Sequence, residues 1–204
     1  MPDEKRPYRK QRRAELEAQT RQRITESAAE LHGTLGPSRT SISAIAEHAG
    51  VRRSTVYRHF PDELALFAAC TAHWMASNPI PDLGAWAARA DPNARLTAAL
   101  EELYAYYRAT ELMMYNLHRD EATVPSVRHF FRGYRDFAAA AQDVLMRGRG
   151  LRGRARRRVR AATGHALAFT TWRSLAREHS LDDGEAVDLM ARLVAAAGTG
   201  GRRA

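Results

Sequence analysis

Cysteine is nearly absent from this 204-residue chain, in which Cys70 is the single example. An internal disulfide is therefore excluded, and the composition fits a reducing cytoplasm. Long apolar runs are also lacking, since no stretch of ~18 apolar residues exists that would cross a bilayer. The charged N-terminus has no apolar segment of the kind that signal peptides carry. We expect a cytoplasmic protein, of a length that fits one or two domains.

The sequence also lacks the residue groupings that catalysis or metal binding requires. Its eight histidines include no H-E-x-x-H motif, and there is no C-x-x-C. The run His118-Arg119-Asp120 has no partner nucleophile. The glycine-rich segment 148–153 (GRGLRG) does not follow a strand and lacks the Lys-Ser/Thr of a phosphate loop. We predict that the chain is no enzyme and needs neither metal nor cofactor.

Lysine is scarce as well, since Lys5 and Lys10 are the only two and the remaining Lys/Arg residues are arginine. The net charge of +9 and the pI near 10.4 fit nucleic acid or an acidic membrane surface as partner. The charge is uneven. Residues 1–60 carry twelve Lys/Arg and seven Asp/Glu, 61–146 carry seven and eleven, and 147–160 carry eight arginines and no acid. The mildly acidic middle block is a poor DNA surface and a better candidate for another role.

The segment Thr40–His59 (TSISAIAEHAGVRRSTVYRH) has the pattern of a helix-turn-helix. Small hydroxyl residues stand around the apolar pair Ile42 and Ile45, as they do at a helix start. Gly50 can take the positive φ that a sharp turn needs. Val56 faces inward in the second helix, whose exposed side is rich in hydrogen-bond donors and suits a DNA major groove. Taken alone, the segment also fits a helical hairpin with a solvated basic face.

The flanking sequence favours the helix-turn-helix. Before it, apolar residues recur at helical spacing and predict a first helix for a three-helix core: Ile24, Ala28, Leu31 and Leu35. After it, Asp62 fits the N-cap of a fourth helix. The apolar stripe of that helix is predicted to comprise Leu64, Phe67 and Cys70.

Residues from about Arg21 to Leu66 resemble the DNA-binding domain of TetR-family transcriptional regulators. The resemblance rests on the TS-I--IAEHAGV run, on the Thr55-Val56-Tyr57 core of the second helix and on the YRHFPD sequence that ends it. It implies an all-α homodimeric regulator with an N-terminal helix-turn-helix domain. Behind that domain it implies a helical domain that binds a small inducer and dimerises through its last two long helices.

The DNA contacts are expected on helices two and three. The predicted DNA-binding residues are Thr40, Ser41, Ser43, Arg52, Arg53, Ser54, Thr55, Tyr57, Arg58 and His59. Residues expected on phosphates are Tyr57, Thr55, His59 and Ser41. Those expected on base edges are Ser43, Arg53, Ser54 and Arg58, and Arg52 fits either role.

Two positions depart from the family pattern. Arg52 stands where many members carry Ser or Thr, so helix three is expected to lack a side-chain N-cap. Glu63 stands where many members carry Lys or Arg, which places one backbone-phosphate contact in doubt. We expect this acid to point away from DNA.

Composition and helical periodicity together divide the chain into four segments. Residues 1–13 are predicted to be a disordered basic arm that touches DNA or serves only as a solubilising tail. Residues 14–76 form the DNA-binding domain with its connecting helix, 77–198 a second helical domain, and 199–204 a disordered tail. The Pro-rich loop 77–92 marks the boundary. No segment has a strand pattern, so the predicted fold is all-α with about nine helices.

In the second domain, a helix is predicted from about Asp91, which fits an N-cap with Pro92 at the first helical position. Further helices are predicted over about Glu111–Arg119, Pro125–Met146, Arg154–His179 and Asp182–Gly198. The last of these opens with a capping box, Asp182-x-x-Glu185. The last two helices are rich in small residues, notably in 161–168 and 195–197. Small side chains allow close helix contact, either across a homodimer interface or inside one chain.

The middle of the chain concentrates aromatic residues. Most aromatics at helical spacing are core, but some can line an apolar pocket with a few polar groups. The residues predicted to bind an apolar effector are Tyr104, Tyr107, Asn116, Tyr134, His165, Phe169 and Trp172. The arginines between Arg147 and Arg160 fit either a solvated loop or a site for an anion or a second nucleic acid.

These observations predict a sequence-specific transcriptional regulator, a ligand-released repressor that binds a palindromic operator in the nucleoid as a homodimer. The alternative is a basic protein that coats DNA without sequence preference. The two differ in competition by random DNA, because specific sites bind roughly 10³–10⁷ times more tightly than random ones.

Overall fold

A computed structural model describes residues 5–199, and within that range every regular element is a helix. The ten α-helices are α1 Lys5–Thr34, α2 Ile42–His48, α3 Arg53–His59, α4 Glu63–Ser77, α5 Leu83–Ala87, α6 Pro92–Asp120, α7 Pro125–Met146, α8 Gly153–Ala166, α9 Phe169–Arg173 and α10 Asp183–Thr199. A 3₁₀ turn, Pro37–Arg39, precedes α2, and a π-helical turn, Ser174–Glu178, follows α9. The predicted all-α class is confirmed. Over residues 5–199, none of the helices has both the length and the apolar character needed to cross a bilayer.

The chain forms two compact units. The first comprises 5–79 with 115–130, and the second comprises 80–114 with 131–199. The division between 79 and 80 lies near the predicted boundary after residue 76. Segment 115–130 clusters with the first unit instead of the second, because side chains at the end of α6 bind the loop after α1, as described below.

Helix α1 begins at Lys5, whereas the sequence predicted a disordered arm over 1–13 and a helix from about Ala14. Residues 1–4 lie outside the described residues, but 5–13 are helical here. Lys, Arg, Gln and Ala are good helix formers, and Pro7 sits in the first turn, where a missing N–H costs little. The predicted disordered tail falls on Thr199, the last residue of α10, and on 200–204, which are not described.

The core of the first unit is built by α1 to α4. Ile24, Ala28, Val56 and Phe60 are each at most 1% exposed, as predicted for a three-helix core. Two leucines of the predicted stripes lie at the surface, since Leu35 is 45% and Leu64 44% exposed. In α4 the predicted Phe67 and Cys70 are buried, and Leu66 is buried in place of Leu64.

Helix α6 is continuous from Pro92 to Asp120, so the separate short helix predicted at Glu111–Arg119 is wrong. No glycine or proline separates the two predicted segments, and Ala109 is a strong helix former. The carboxylate of Asp91 accepts the amide of Ala94 at 2.6 Å, which is the predicted N-cap.

The predicted helix Arg154–His179 is also wrong, because it is interrupted after α8 at Leu167 and Ala168. Two tyrosine hydroxyls from α6 donate to the carbonyls at this point. Tyr104 Oη reaches the oxygen of Ala166 at 2.9 Å, and Tyr107 Oη reaches that of Leu167 at 2.6 Å. Carbonyls at a helix end lack intrahelical donors, so the tyrosines stabilise the break.

The guanidinium of Arg95, near the start of α6, is buried and donates to four backbone carbonyls. Nε reaches the oxygen of Arg89 at 2.8 Å, and Nη2 reaches that of Ala90 at 3.1 Å. Nη1 reaches the oxygens of Val144 and Arg147, at 3.0 and 2.9 Å, at the end of α7. This arginine therefore holds the loop before α6 and the C-terminus of α7 together.

Replacing Arg95 by Met should lower the free energy of unfolding by about 3 kcal/mol, because several buried carbonyls lose their donors. Urea denaturation followed by tryptophan fluorescence measures the change. Arg89→Met is the matched control, because Arg89 is exposed and takes part through its carbonyl alone. Equal stability of the two variants would contradict the assigned role.

Candidate nucleic-acid interface

Helices α2 and α3 are joined as the sequence predicted. Ser41 caps α2, its side chain accepting the amide of Ala44 at 3.1 Å. Gly50 has φ +64°, in the left-handed region that favours glycine, and the amide of Val51 returns to the carbonyl of Ala46. Arg52 is the N-cap of α3 and makes no side-chain cap bond, as expected from its departure from the family pattern.

The structure sorts the predicted DNA-binding residues by exposure. The exposed ones are Ser41, Ser43, Arg52, Arg53, Ser54, Tyr57 and Arg58, and the half-buried ones are Thr40, Thr55 and His59. Val56 and Phe60, each 1% exposed, occupy the opposite face of α3. The exposed predicted residues of α2, α3 and their N-caps all carry hydroxyl or guanidinium donors, and we name this set, Ser41, Ser43, Arg52, Arg53, Ser54, Tyr57 and Arg58, the donor face.

Arg53 and Tyr57 form a pair one helical turn apart on this face. Arg53 Nη2 donates to Tyr57 Oη at 3.1 Å, and its guanidinium carbon lies 5.5 Å from the centroid of the tyrosine ring. The bond to Tyr57 raises the pKa of Arg53, which is charged at any neutral pH in either case. Because the tyrosine oxygen accepts this bond, its own proton remains available for a phosphate.

Two predicted contact residues also serve the fold. Thr40 Oγ1 donates to the carbonyl of Gly36 at 2.8 Å, so its hydroxyl proton holds the loop before α2. Burial, followed by the cations of Arg58 and Arg21, lowers the pKa of His59. A neutral ring at this position donates only one proton.

Arg21 on α1 supports α3 and was not among the predicted site residues. Its Nη1 donates to the carbonyl of His59 at 2.5 Å, and its guanidinium lies 4.1 Å above the Phe60 ring. These contacts cap the end of α3. Nothing in the local pattern around Arg21 distinguishes it from Arg23, because its partners are 38 and 39 residues away.

Glu63, the second departure from the family pattern, is the first residue of α4. Asp62 caps this helix, its Oδ1 accepting the amide of Ala65 at 2.7 Å. An acid in the first turn of a helix is stabilised by the positive end of the helix dipole. The helix alone therefore gives a structural reason for Glu63 at this position.

The last turn of α6 binds the segment between α1 and α2. Asn116 Nδ2 donates to the carbonyl of Gly33 at 2.7 Å, and Asp120 accepts the amide of Ser38 at 2.9 Å. Arg119 Nη2 donates to the carbonyl of Leu35 at 3.0 Å and also pairs with Asp120. These contacts give the isolated run His118-Arg119-Asp120 a structural role. They also place Asn116, predicted to bind an effector, in the first unit.

Five of the other predicted effector-binding residues come together in the second unit. Tyr104, Tyr107, Phe169 and Trp172 are each at most 1% exposed, and Tyr134 is half-buried. Tyr107 Oη lies 2.8 Å from Tyr134 Oη, and Trp172 Nε1 donates to Asp183 Oδ1 at 3.0 Å. Burial raises the pKa of Tyr104, Tyr107 and Tyr134, which keeps their hydroxyls protonated. These aromatic residues pack on one another, and the seventh predicted residue, His165, is exposed.

Comparison with known proteins agrees with this geometry. Residues 24–70 match the family model of bacterial regulatory proteins of the tetR family, which confirms the resemblance found in the sequence. None of the curated proteins matches the chain.

Solved structures share the fold over most of the chain. A TetR-like transcriptional regulator from Rhodococcus sp. RHA1 is 18% identical with a TM-score of 0.62, over 90% of this chain and 97% of that chain. NalD, the secondary repressor of the MexAB-OprM multidrug efflux pump in Pseudomonas aeruginosa, is 22% identical with a TM-score of 0.58, over 90% and 97%. FadR from Bacillus subtilis, solved with stearoyl-CoA, is 15% identical with a TM-score of 0.58, over 89% and 99%.

The buried His32 near the end of α1 makes the stability of the first unit depend on pH. Its Nδ1 lies 3.4 Å from Cys70 Sγ, and its ring packs on Phe67 at 5.2 Å. Burial lowers its pKa from 6.5 to about 4, although the charge of Asp120 opposes the shift. The native state therefore favours the neutral ring. This contribution is complete above pH 6.5 and is lost as the pH falls towards 4.

When the pH is lowered from 7.5 to 4.5, the free energy of unfolding should fall by about 2 kcal/mol because of His32. The reason is that the ring of His32 binds a proton more tightly in the unfolded chain than in the native state. In His32→Gln this part of the pH dependence should disappear, as urea denaturation at the two pH values will measure. His48→Gln, at an exposed position of α2, is the control and should keep the wild-type slope. An unchanged slope in His32→Gln would rule out His32 as its source.

Proposed function

We propose, from the membership of residues 24–70 in the tetR family of bacterial regulatory proteins, that the chain is a sequence-specific regulator of transcription. It acts as a homodimer on a palindromic operator in the nucleoid, and a small apolar effector releases it. The observation that carries this proposal is the donor face, which the burial of Val56 and Phe60 turns towards solvent. A short helix that presents donors on one side fits the major groove.

On the donor face, we assign base recognition mainly to Arg53, Ser54 and Arg58, and phosphate binding to Tyr57 and Ser41. Arginine forms bidentate bonds to guanine, and the side chain of Arg53 lies over the ring of Tyr57 in the free protein. Tyr57 has one hydroxyl proton to donate, which suits a phosphate oxygen. Phosphate contacts set the position of the helix, and base contacts set the sequence preference.

Substitutions at these two residues should have different effects in selection of bound sequences from random duplex DNA. Arg53→Ala should relax the preference at one position of each half-site by about 1–3 kcal/mol, because one base contact is lost. Tyr57→Phe should weaken binding to all sequences alike and leave the selected motif unchanged. Arg39→Ala removes one exposed charge at the end of the 3₁₀ turn and is the matched control.

Identical effects of Arg53→Ala and Tyr57→Phe would refute the division of roles. If the wild-type protein selected no motif, the proposal of a sequence-specific regulator would be contradicted. The alternative, a protein that binds DNA without sequence preference, would then be supported. A palindromic motif would support the dimer at the same time, since two heads read two half-sites.

The proposed homodimer uses α8 and α10, which pack on each other in the second unit. Helix α10 buries Val187, Met190 and Val194, whereas Leu189 is 38% and Leu193 49% exposed. These two leucines are four residues apart and so lie on one face of the helix. An exposed apolar stripe beside small residues suits contact with a second copy, as the sequence analysis proposed.

Replacing Leu193 by Glu should convert the dimer to a monomer in sedimentation velocity, because a carboxylate would be buried without a partner at the interface. Affinity for a palindromic site should fall with it, whereas a half-site duplex should bind unchanged. Leu112→Glu is the matched control, since Leu112 is 54% exposed on α6. A wild-type protein that is monomeric at micromolar concentration would contradict the proposal.

We propose that the effector binds at the aromatic cluster formed by Tyr104, Tyr107, Tyr134, Phe169 and Trp172. FadR, to which the fold is similar, was solved with stearoyl-CoA, and the apolar acyl chain of such a ligand suits an aromatic cluster. Here the cluster is closed by the bond between Tyr107 and Tyr134, so a ligand must separate these rings. Movement of α6 would then reach Asn116 and Asp120, which hold the segment before α2.

A further inference from the structure

The loop between α7 and α8 and the first turns of α8 line an open pocket of about 330 Å³. Its lining consists of Asp143, Met146, Arg147, Gly148, Arg149, Gly150, Leu151, Arg152 and Arg156. Four of these residues are arginines, and one is an acid. The lining belongs wholly to the second unit and shares no residue with the donor face or with the aromatic cluster.

The acid of the pocket already has a partner. Asp143 Oδ1 accepts a hydrogen bond from Arg160 Nη1 at 2.6 Å, and Arg160 is not part of the lining. This pair is neutral as a whole. The four lining arginines therefore face the pocket without a compensating charge from Asp143.

One of the four lining arginines is held by hydrogen bonds to backbone carbonyls, and the other three differ from it. Arg149 donates to the carbonyls of Leu145 and Pro92, at 2.8 and 2.9 Å. Burial, followed by the nearby cation of Arg95, lowers the pKa of Arg149. Within residues 5–199, Arg147, Arg152 and Arg156 form no ion pair with a carboxylate.

The backbone contributes to the same concentration of positive charge. Gly148 and Gly150 have φ of +77° and +63°, which lets the loop curl around the pocket. Helix α8, with fourteen residues, starts beside it with no side-chain cap and no acid in its first turn. Arginines at the positive end of a helix dipole are unfavourable by themselves, and a bound anion would offset that cost.

From the arginines without an ion pair that line this open pocket, we propose that the loop is a binding site for a small molecule that carries two or more phosphate groups. Guanidinium groups bind phosphate oxygens in a bidentate manner, which favours phosphate over a simple halide. A pocket of this volume is in the range of small-ligand sites. It is concave and too small for a nucleic-acid duplex.

The test is isothermal titration calorimetry of the full chain with inorganic pyrophosphate, orthophosphate and sulfate at equal ionic strength. Pyrophosphate should bind with a 1:1 stoichiometry per chain, and at least about tenfold more tightly than orthophosphate or sulfate, because it can engage more than one guanidinium. The affinity should fall as salt is added, since the site is partly exposed.

A pair of double variants separates a built site from diffuse attraction. Arg152→Gln with Arg156→Gln removes two lining arginines and should weaken pyrophosphate binding by about tenfold or more. Arg154→Gln with Arg157→Gln removes two exposed arginines of the same helix outside the lining, and should change it less than about twofold. Both variants lose the same charge, and circular dichroism with thermal unfolding checks that both remain folded.

Three results would overturn the proposal. The first is equal binding of pyrophosphate and sulfate, and the second is an equal loss in the two double variants. The third is failure to bind pyrophosphate while the lining variant alone loses affinity for random duplex DNA, which would assign the loop to nucleic acid. None of these results depends on whether the donor face recognises an operator.

Discussion

The orientation of α3 depends on the burial of Val56 and Phe60. The helix has seven residues, too few to be stable alone in water, so packing on α1 and α2 decides its position. Both side chains are 1% exposed, and Arg21 lies over the Phe60 ring while it caps the end of the helix. With positions 56 and 60 fixed inside, Arg53 and Tyr57 must point to solvent. The orientation of the donor face therefore follows from the packing of two apolar residues.

Side chains of helix α6 donate hydrogen bonds to carbonyls at the C-terminal ends of three other helices. Arg95 donates to the last carbonyls of α7, and Tyr104 and Tyr107 donate to those at the end of α8. In the first unit, Asn116 and Arg119 donate to carbonyls at the end of α1 and just after it. The proposed coupling between effector and DNA would act through this helix, because both its halves hold the ends of other helices.

Features set by nearby residues could be predicted from the sequence, whereas features set by distant partners could not. The caps at Ser41, Asp62 and Asp91 were predicted, and so was the capping box in which the carboxylates of Asp182 and Glu185 each accept the other's amide. Each depends on residues two to four positions away.

The interruption after α8 depends on tyrosines about sixty residues earlier, and 161–168 have the small and apolar residues of a continuous helix. The position of Leu64 at the surface was missed for the same kind of reason, since Leu64 and Leu66 fit a stripe equally well until α1 is in place. In the candidate site, seven of the ten residues predicted to contact DNA are exposed, and their DNA contacts stay a prediction. The support of α3 by Arg21 was not predicted, because the carbonyl that Arg21 binds belongs to a helix that comes later in the chain.

The arginines of the second unit show how the same side chain is used when it is satisfied and when it is not. Arg95 and Arg149 give their donors to backbone carbonyls, and Arg160 pairs with Asp143. Eight like charges within residues 147–160 repel one another. The loop curls at its glycines and brings four of the eight, three of them solvent-exposed, around one open concavity. Concentrating charge in this way is unfavourable for the empty protein, and binding of an anion is the physical condition that would reverse it.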